Sequence, residues 1–380
     1  MPQQARRQYY GEYTQPKVIR AVPQYTRPRK IVPKKTNRNQ RIVSIIFMVL
    51  LGFFVLPSAF QRVTMSFFYG SRYPEVKTDY YRLRFPTSDY LSNHWAFGER
   101  SLRGAKIKKP EMTPLHENRR LAGLENNLRT LMAQYPSIHP AIYAIDFDTG
   151  NYVDINGNEL FPAASIIKLP VLIHLFRSIE MGQFSIYDSI KLADYYKGEG
   201  SGRLQFKAEN SGYTIDELAR MMITESDNSA TNMLVAKLGS MNDVNHGIKE
   251  WGLGKTYMQT WLPDLGGTNK TTARDIAVIL YNVDNPRFLS VSSRESIFDY
   301  MGHVENNRLI AAGLGEGADF LHKTGDIGTM LGDAGIVFTP NGKKYILVIL
   351  ARRPYNSTAG KEFIVKASEM IYKNIVNGER

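Results

Sequence analysis

The chain has 380 residues and a formal net charge of +12, and ten of those charges lie in the first 41 residues, where eleven Lys or Arg face one acid. The remaining body is nearly neutral, which excludes a basic nucleic-acid-binding fold and puts the charge where a membrane surface or an acidic partner would meet it. With 43% apolar and 22% charged residues the body is globular, and zero cysteines exclude disulfides, thiolate metal sites and a cysteine nucleophile.

Residues 1–41 are rich in Arg, Lys, Gln, Pro and Tyr with no apolar period, and read as a disordered basic tail. Residues 42–60 hold no charge over 19 positions, close to the roughly 20 helical residues that cross a ~30 Å hydrocarbon core. Lys34, Lys35, Arg38 and Arg41 crowd its leading flank. That asymmetry predicts an uncleaved single-pass signal anchor, with a cytoplasmic tail able to meet anionic lipid and the rest of the chain outside the membrane. Residues 61–112 carry Phe67, Phe68, Tyr69, Tyr73, Tyr80 and Tyr81 among scattered charges and prolines, and read as a stalk or strap.

A regular pattern begins at Thr113. Leu121, Leu124, Leu128 and Met132 recur at helical spacing, so a helix is expected over 116–135, ending at Pro136. Two alternating strands follow over 138–147 and 151–163, joined at Asp148-Thr149-Gly150. Helical patterns dominate from 165 to 314, most clearly at 214–223, 229–238, 271–283 and 292–304. Strands return at 318–325, 332–340 and 344–353, the last two turning at Asn341-Gly342, and a helix over 360–376 closes the chain. This order predicts an α+β fold for 113–380: a five-stranded antiparallel sheet flanked by the terminal helices, an all-helical lobe inserted between strands two and three, and a cleft at the junction.

Ser165 and Lys168 open the helical run that follows strand two. Three positions apart, they share a helix face, so the Lys168 amine can reach the Ser165 hydroxyl. The unpaired N–H groups and dipole of that helix end favour an oxyanion there. A hydroxyl becomes nucleophilic when a base removes its proton, and a lysine serves once burial or a nearby cation makes it neutral. Taken singly, Ser-x-x-Lys arises by chance, Ser226-Asp227-Asn228 reads as a helix cap, and Lys323-Thr324-Gly325 as a strand end and turn.

The three together, in order and 61 and 97 positions apart, are the signature set of penicillin-recognising serine enzymes. Residues 113–380 resemble the class A β-lactamase and penicillin-binding protein superfamily. The helical stretch around Ser226 and the turn Gly200-Ser201-Gly202 add to the likeness. The resemblance implies Ser165 as nucleophile and Lys168 as base or proton relay. It gives Ser226 as proton donor to the leaving nitrogen, and Asn228 as the group that holds Lys168 and the substrate amide. Lys323 would supply positive charge and, with Thr324, bind the substrate carboxylate. Beyond Gly325, the backbone N–H of Asp326 would complete an oxyanion hole with that of Ser165.

One segment departs from the pattern. Class A enzymes carry Trp-Glu-Pro-Glu-Leu-Asn or similar in the loop that supplies the deacylating carboxylate, whereas this chain has Trp261-Leu262-Pro263-Asp264-Leu265-Gly266. A leucine at the glutamate position cannot activate water. Asp264 is either a recruited substitute or a loop-stabilising acid.

The expected function is that of a serine hydrolase forming an acyl-enzyme on Ser165 with β-lactam or D-alanyl amide (peptidoglycan-type) substrates. The alternatives are a D,D-peptidase with slow deacylation, or a non-catalytic peptidoglycan- or β-lactam-binding sensory module. No metal or cofactor is expected; His322 reads as a strand residue. Arg352 and Arg353 end the last strand near the cleft, as surface charges or as contacts for a substrate carboxylate.

Overall fold

The computed structural model describes residues 112–378. The basic tail, the 42–60 anchor and the stalk up to residue 111 lie outside the described residues. Within 112–378 no helix is long and apolar enough to cross a membrane.

Five strands form the main sheet: β1 (His139–Asp146), β2 (Tyr152–Ile155), β7 (Asp319–Asp326), β8 (Met330–Phe338) and β9 (Lys344–Arg352). They lie in the order β2-β1-β9-β8-β7 with every neighbour antiparallel. Alternate residues of β1 and β9 serve two cores. Tyr143, Ile145, Val348 and Leu350 face the helical lobe, while Ile142, Ala144, Leu347 and Ile349 face the terminal helices α1 (Ala122–Ala133) and α8 (Ala359–Asn377). Because both faces are covered, β9 is an almost unbroken apolar run rather than an alternating one.

The lobe between β2 and β7 contains α2 (Lys168–Glu180), α3 (Ile215–Thr224), α4 (Asn228–Lys237), α5 (Met241–Glu250), α6 (Ala273–Val283) and α7 (Val291–Gly302). Side-chain caps start most of them. Thr214 and Glu217 form a capping box at α3, Asp227 caps α4, Ser240 caps α5, Thr272 caps α6 and Ser290 caps α7.

Three boundaries differ from the sequence expectation. The first helix begins at Ala122 rather than 116, because the preceding backbone is spent on the edge of β2: Leu121 N–H donates to Tyr152 O at 2.8 Å and Tyr152 N–H to Arg119 O at 3.0 Å. The second expected strand is two. β2 stops before Asn156, which holds a left-handed φ of 54°, and β3 (Phe161–Pro162) pairs instead with β6 (Lys270–Thr271). The lobe is also not purely helical, for β4 (Ser189–Lys191) and β5 (Gly212–Thr214) make a small ladder too short to show a period in sequence.

Candidate active site

Ser165 sits in a 3₁₀ turn, Ala164–Ile167, that runs directly into α2, whose first residue is Lys168. In a 3₁₀ turn residues i and i+3 eclipse, and Lys168 Nζ lies 3.2 Å from Ser165 Oγ. Ala164, the residue before the serine, has φ 45°, a conformation non-glycine residues avoid. Pro170 follows in the first turn of α2, where its missing N–H removes no helix bond.

The Ser226 segment approaches from the α3–α4 junction. Ser226 has a left-handed φ of 58° and offers two oxygens to Lys168 Nζ, its carbonyl at 2.5 Å and its hydroxyl at 3.1 Å. Asn228 Oδ1 accepts from the same amine at 2.9 Å, and Asn228 Nδ2 donates to Glu199 O at 2.8 Å. Asp227, between them, points the other way. It accepts from Ala230 N–H at 2.9 Å and Leu204 N–H at 2.8 Å, so one carboxylate both caps α4 and anchors the 198–204 turn. Gly202 is needed there: it has φ 88°, and a Cβ on it would come within 2.2 Å of the Asp227 carboxyl.

The third segment is the end of the edge strand β7. Lys323 is fully buried, and its Nζ donates to Ser226 Oγ and to Thr324 O, each at 3.0 Å. Gly325 lets this strand close on the Ser165 turn, since a Cβ there would lie 3.1 Å from Ala164 Cβ and 3.2 Å from Ser165 N. Ser165, Ser226, Lys323, Thr324 and Asp326 line one cavity of about 230 Å³, with Ser201, Glu225 and Asn306 on its wall.

The electrostatics divide the two amines. Burial pushes the Lys168 amine well below its ordinary value, and the neighbouring Lys323 cation pushes it further. Burial also lowers Lys323, to about 8, with Asp333 opposing the fall. A neutral Lys168 has two N–H bonds and one lone pair. Ser226 O and Asn228 Oδ1 can only accept, so they take both hydrogens and leave the lone pair facing the hydroxyls of Ser165 and Ser226. Lys323 already donates to Ser226 Oγ, which leaves that hydroxyl's own proton free to be given away.

Residues 123–375 match the family described as the beta-lactamase enzyme family. The chain belongs to this family. PBP-A is 36% identical with a TM-score of 0.68, covering 70% of this chain and all of that one. A leucine-to-glutamate mutant of PBP-A, as an acyl-enzyme complex with penicillin G, matches equally well. The beta-lactamase of Streptomyces albus G is 27% identical over 268 residues, 65% of this chain and 80% of that protein. A beta-lactamase from Sphaerobacter thermophilus shares the fold at a TM-score of 0.61, covering 68% of this chain and 99% of that one, with 24% identity.

The remaining predicted residues fall in two places. Asp264 is buried, and its carboxylate is spent inside its own loop: Oδ1 accepts from Thr268 N–H and Thr268 Oγ1–H, each at 3.0 Å, and Oδ2 from Asn269 N–H at 2.6 Å. These contacts are those of a loop-stabilising acid. Leu262 is buried too, and Asn232 grips its backbone by accepting from its N–H at 3.0 Å and donating to its carbonyl at 2.8 Å. Among the described residues no carboxylate hydrogen-bonds to Ser165 or Lys168. His322 is a buried strand residue, held by Asp333 Oδ1 at 2.8 Å and Asn307 Oδ1 at 3.1 Å.

Sequence reasoning missed the acidic wall of the cavity. Glu225 pairs with Arg203 at 2.6 Å; burial, Asp227 and Glu305 all raise its carboxyl, while Arg203 opposes them. Its position next to Ser226 was the available signal. Of the two terminal arginines, Arg352 pairs with Glu159 and with Leu160 O, and Arg353 reaches Asp326.

Proposed function

We propose that this domain is a penicillin-binding serine acyl-enzyme that acts on D-alanyl amide bonds and is acylated by β-lactams, with slow release of the acyl group. The observation that carries it is the Ser165-Lys168-Ser226-Lys323 chain of contacts, with Ser165, Ser226 and Lys323 lining one cavity and Lys168 buried behind them. As Ser165 Oγ attacks the carbonyl carbon, its proton passes to the lone pair of Lys168. The oxyanion is held by the N–H groups of Ser165 and Asp326. When the C–N bond breaks, the leaving nitrogen takes the Ser226 proton, and Ser226 recovers one from the Lys168 ammonium. Lys323 stays protonated and, with Thr324, holds the substrate carboxylate, while Asn228 fixes both Lys168 and the substrate amide.

Slow release is favoured by the loop. Leu262 takes the class A glutamate position when the loop is aligned on Trp261 and Pro263, the Asp264 carboxylate already accepts three hydrogen bonds within its own loop, and PBP-A, whose leucine-to-glutamate mutant is described as an acyl-enzyme with penicillin G, is 36% identical. The test is nitrocefin turnover together with intact-mass measurement. One persistent adduct on Ser165 supports the reading, steady colour release turns it to a β-lactamase, and no adduct with any β-lactam or D-Ala-D-Ala mimic leaves a binding module. Residues 42–60 are read as its membrane anchor and the basic tail as cytoplasmic, a placement tested by protease digestion of intact and opened cells.

A further inference from the structure

Asp326 is an unexpected neighbour for an anionic substrate. Its N–H is assigned above to the oxyanion, and the residues just before it, Lys323 and Thr324, to the substrate carboxylate. Its side chain is 51% exposed, and the residue lines the same cavity. An unpaired carboxylate at that point repels the group the site must bind.

Arg353 answers this charge. Its side chain is only 6% exposed, so it is no surface charge and cannot itself reach out to substrate. Nη2 donates to Asp326 Oδ1 at 2.6 Å, Nε to Gly328 O at 2.9 Å and Nη1 to Ser357 O at 3.1 Å. Gly328 N–H donates to the same Asp326 oxygen at 2.9 Å. The planar guanidinium thus pins the turn after β7 to the loop after β9, which a lysine's point charge cannot do with three directed bonds. Gly360 leaves it room, for a Cβ there would come within 2.9 Å of Arg353 Cδ.

We propose that Arg353 is a positioning residue that acts through Asp326: it keeps that carboxylate paired, and so makes the site selective for acyl donors that carry a carboxylate. This rests on the acyl-enzyme reading given above.

The test compares acylation of the full chain by benzylpenicillin and by its neutral methyl ester, followed by intact mass. In Arg353→Gln the preference for the free acid over the ester is expected to fall about tenfold or more. The deficit should shrink at high salt, as the interaction of partly exposed charges does. Adding Asp326→Asn is expected to restore most of the preference, a coupling that a merely structural arginine would not give. Equal losses on acid and ester, or no rescue by Asp326→Asn, overturn the assignment. Arg353→Lys, which keeps the charge, covers a failure of Arg353→Gln to fold: its preference should stay within about threefold of wild type, and a larger loss in the folded protein also overturns it. A wild-type chain that takes no adduct on Ser165 overturns the acyl-enzyme reading itself, and this assignment with it.

Discussion

Lys168 and Lys323 meet at one oxygen: Ser226 Oγ lies 3.1 Å from the first amine and 3.0 Å from the second, and both amines are fully buried. Two ammonium groups around one hydroxyl, away from water, destabilise each other. Lys168, which feels the Lys323 charge, is the one driven to lose its proton, while Asp333 supports the charge on Lys323. The arrangement is what the proposed mechanism asks for, with one lysine as base and the other as cation.

A pH profile follows. On the proposed mechanism, acylation needs Lys168 neutral and Lys323 protonated. Rising pH first frees the Lys168 lone pair, so the rate climbs; passing about 8 removes the Lys323 charge, so the rate with a carboxylate-bearing substrate falls. The second-order rate constant for benzylpenicillin, measured from about pH 5 to about pH 10, should be bell-shaped. A rate that keeps climbing through the alkaline range takes Lys323 out of the mechanism.

Lys168→Ala is expected to lower acylation by about 10²–10⁴, with the circular dichroism spectrum of the native fold retained. Undiminished labelling of Ser165 would remove lysine from the chemistry.

Leu262→Glu places a carboxylate at the position that, with the loop aligned on Trp261 and Pro263, matches the class A glutamate. The adduct on Ser165 should decay faster than in the wild type, read by mass spectrometry after removal of free β-lactam. Because Leu262 is buried, the same change should lower stability by about 1–3 kcal/mol. An unchanged adduct lifetime means that Asn232 holds the loop in a geometry from which residue 262 cannot deliver water.

Asp264→Asn separates the two readings of that acid. Losing charge-assisted bonds from the Thr268 and Asn269 amides should destabilise the domain by about 1–3 kcal/mol while leaving the adduct lifetime unchanged. A lifetime lengthened about tenfold or more would make Asp264 the deacylating base.

The sheet and the three motif segments were legible in the sequence because each rests on local pattern: period-2 strands, a continuous apolar β9, and short polar motifs at element ends. Contacts between motifs were legible only through the resemblance, since nothing local brings Lys323 to Ser226 across 97 positions. The role of Arg353 was hidden for a different reason. A strand-end arginine reads as surface charge, and only the turn of Asp326–Gly328 beneath it reveals that it is buried. The late start of the first helix was also invisible, because backbone pairing of 119–121 with Tyr152 overrides the helical spacing of the leucines.

The strand order has a consequence for biosynthesis. β9, the last of the five strands in chain order, sits in the middle of the sheet between β1 and β8, so no earlier stretch of nascent chain can close that sheet alone. Loop closure across the whole helical insertion must precede pairing of β1 with β9. The two amines therefore stay hydrated and charged until β9 has been made, and a polypeptide interrupted before β9 should carry a serine no more reactive than any other.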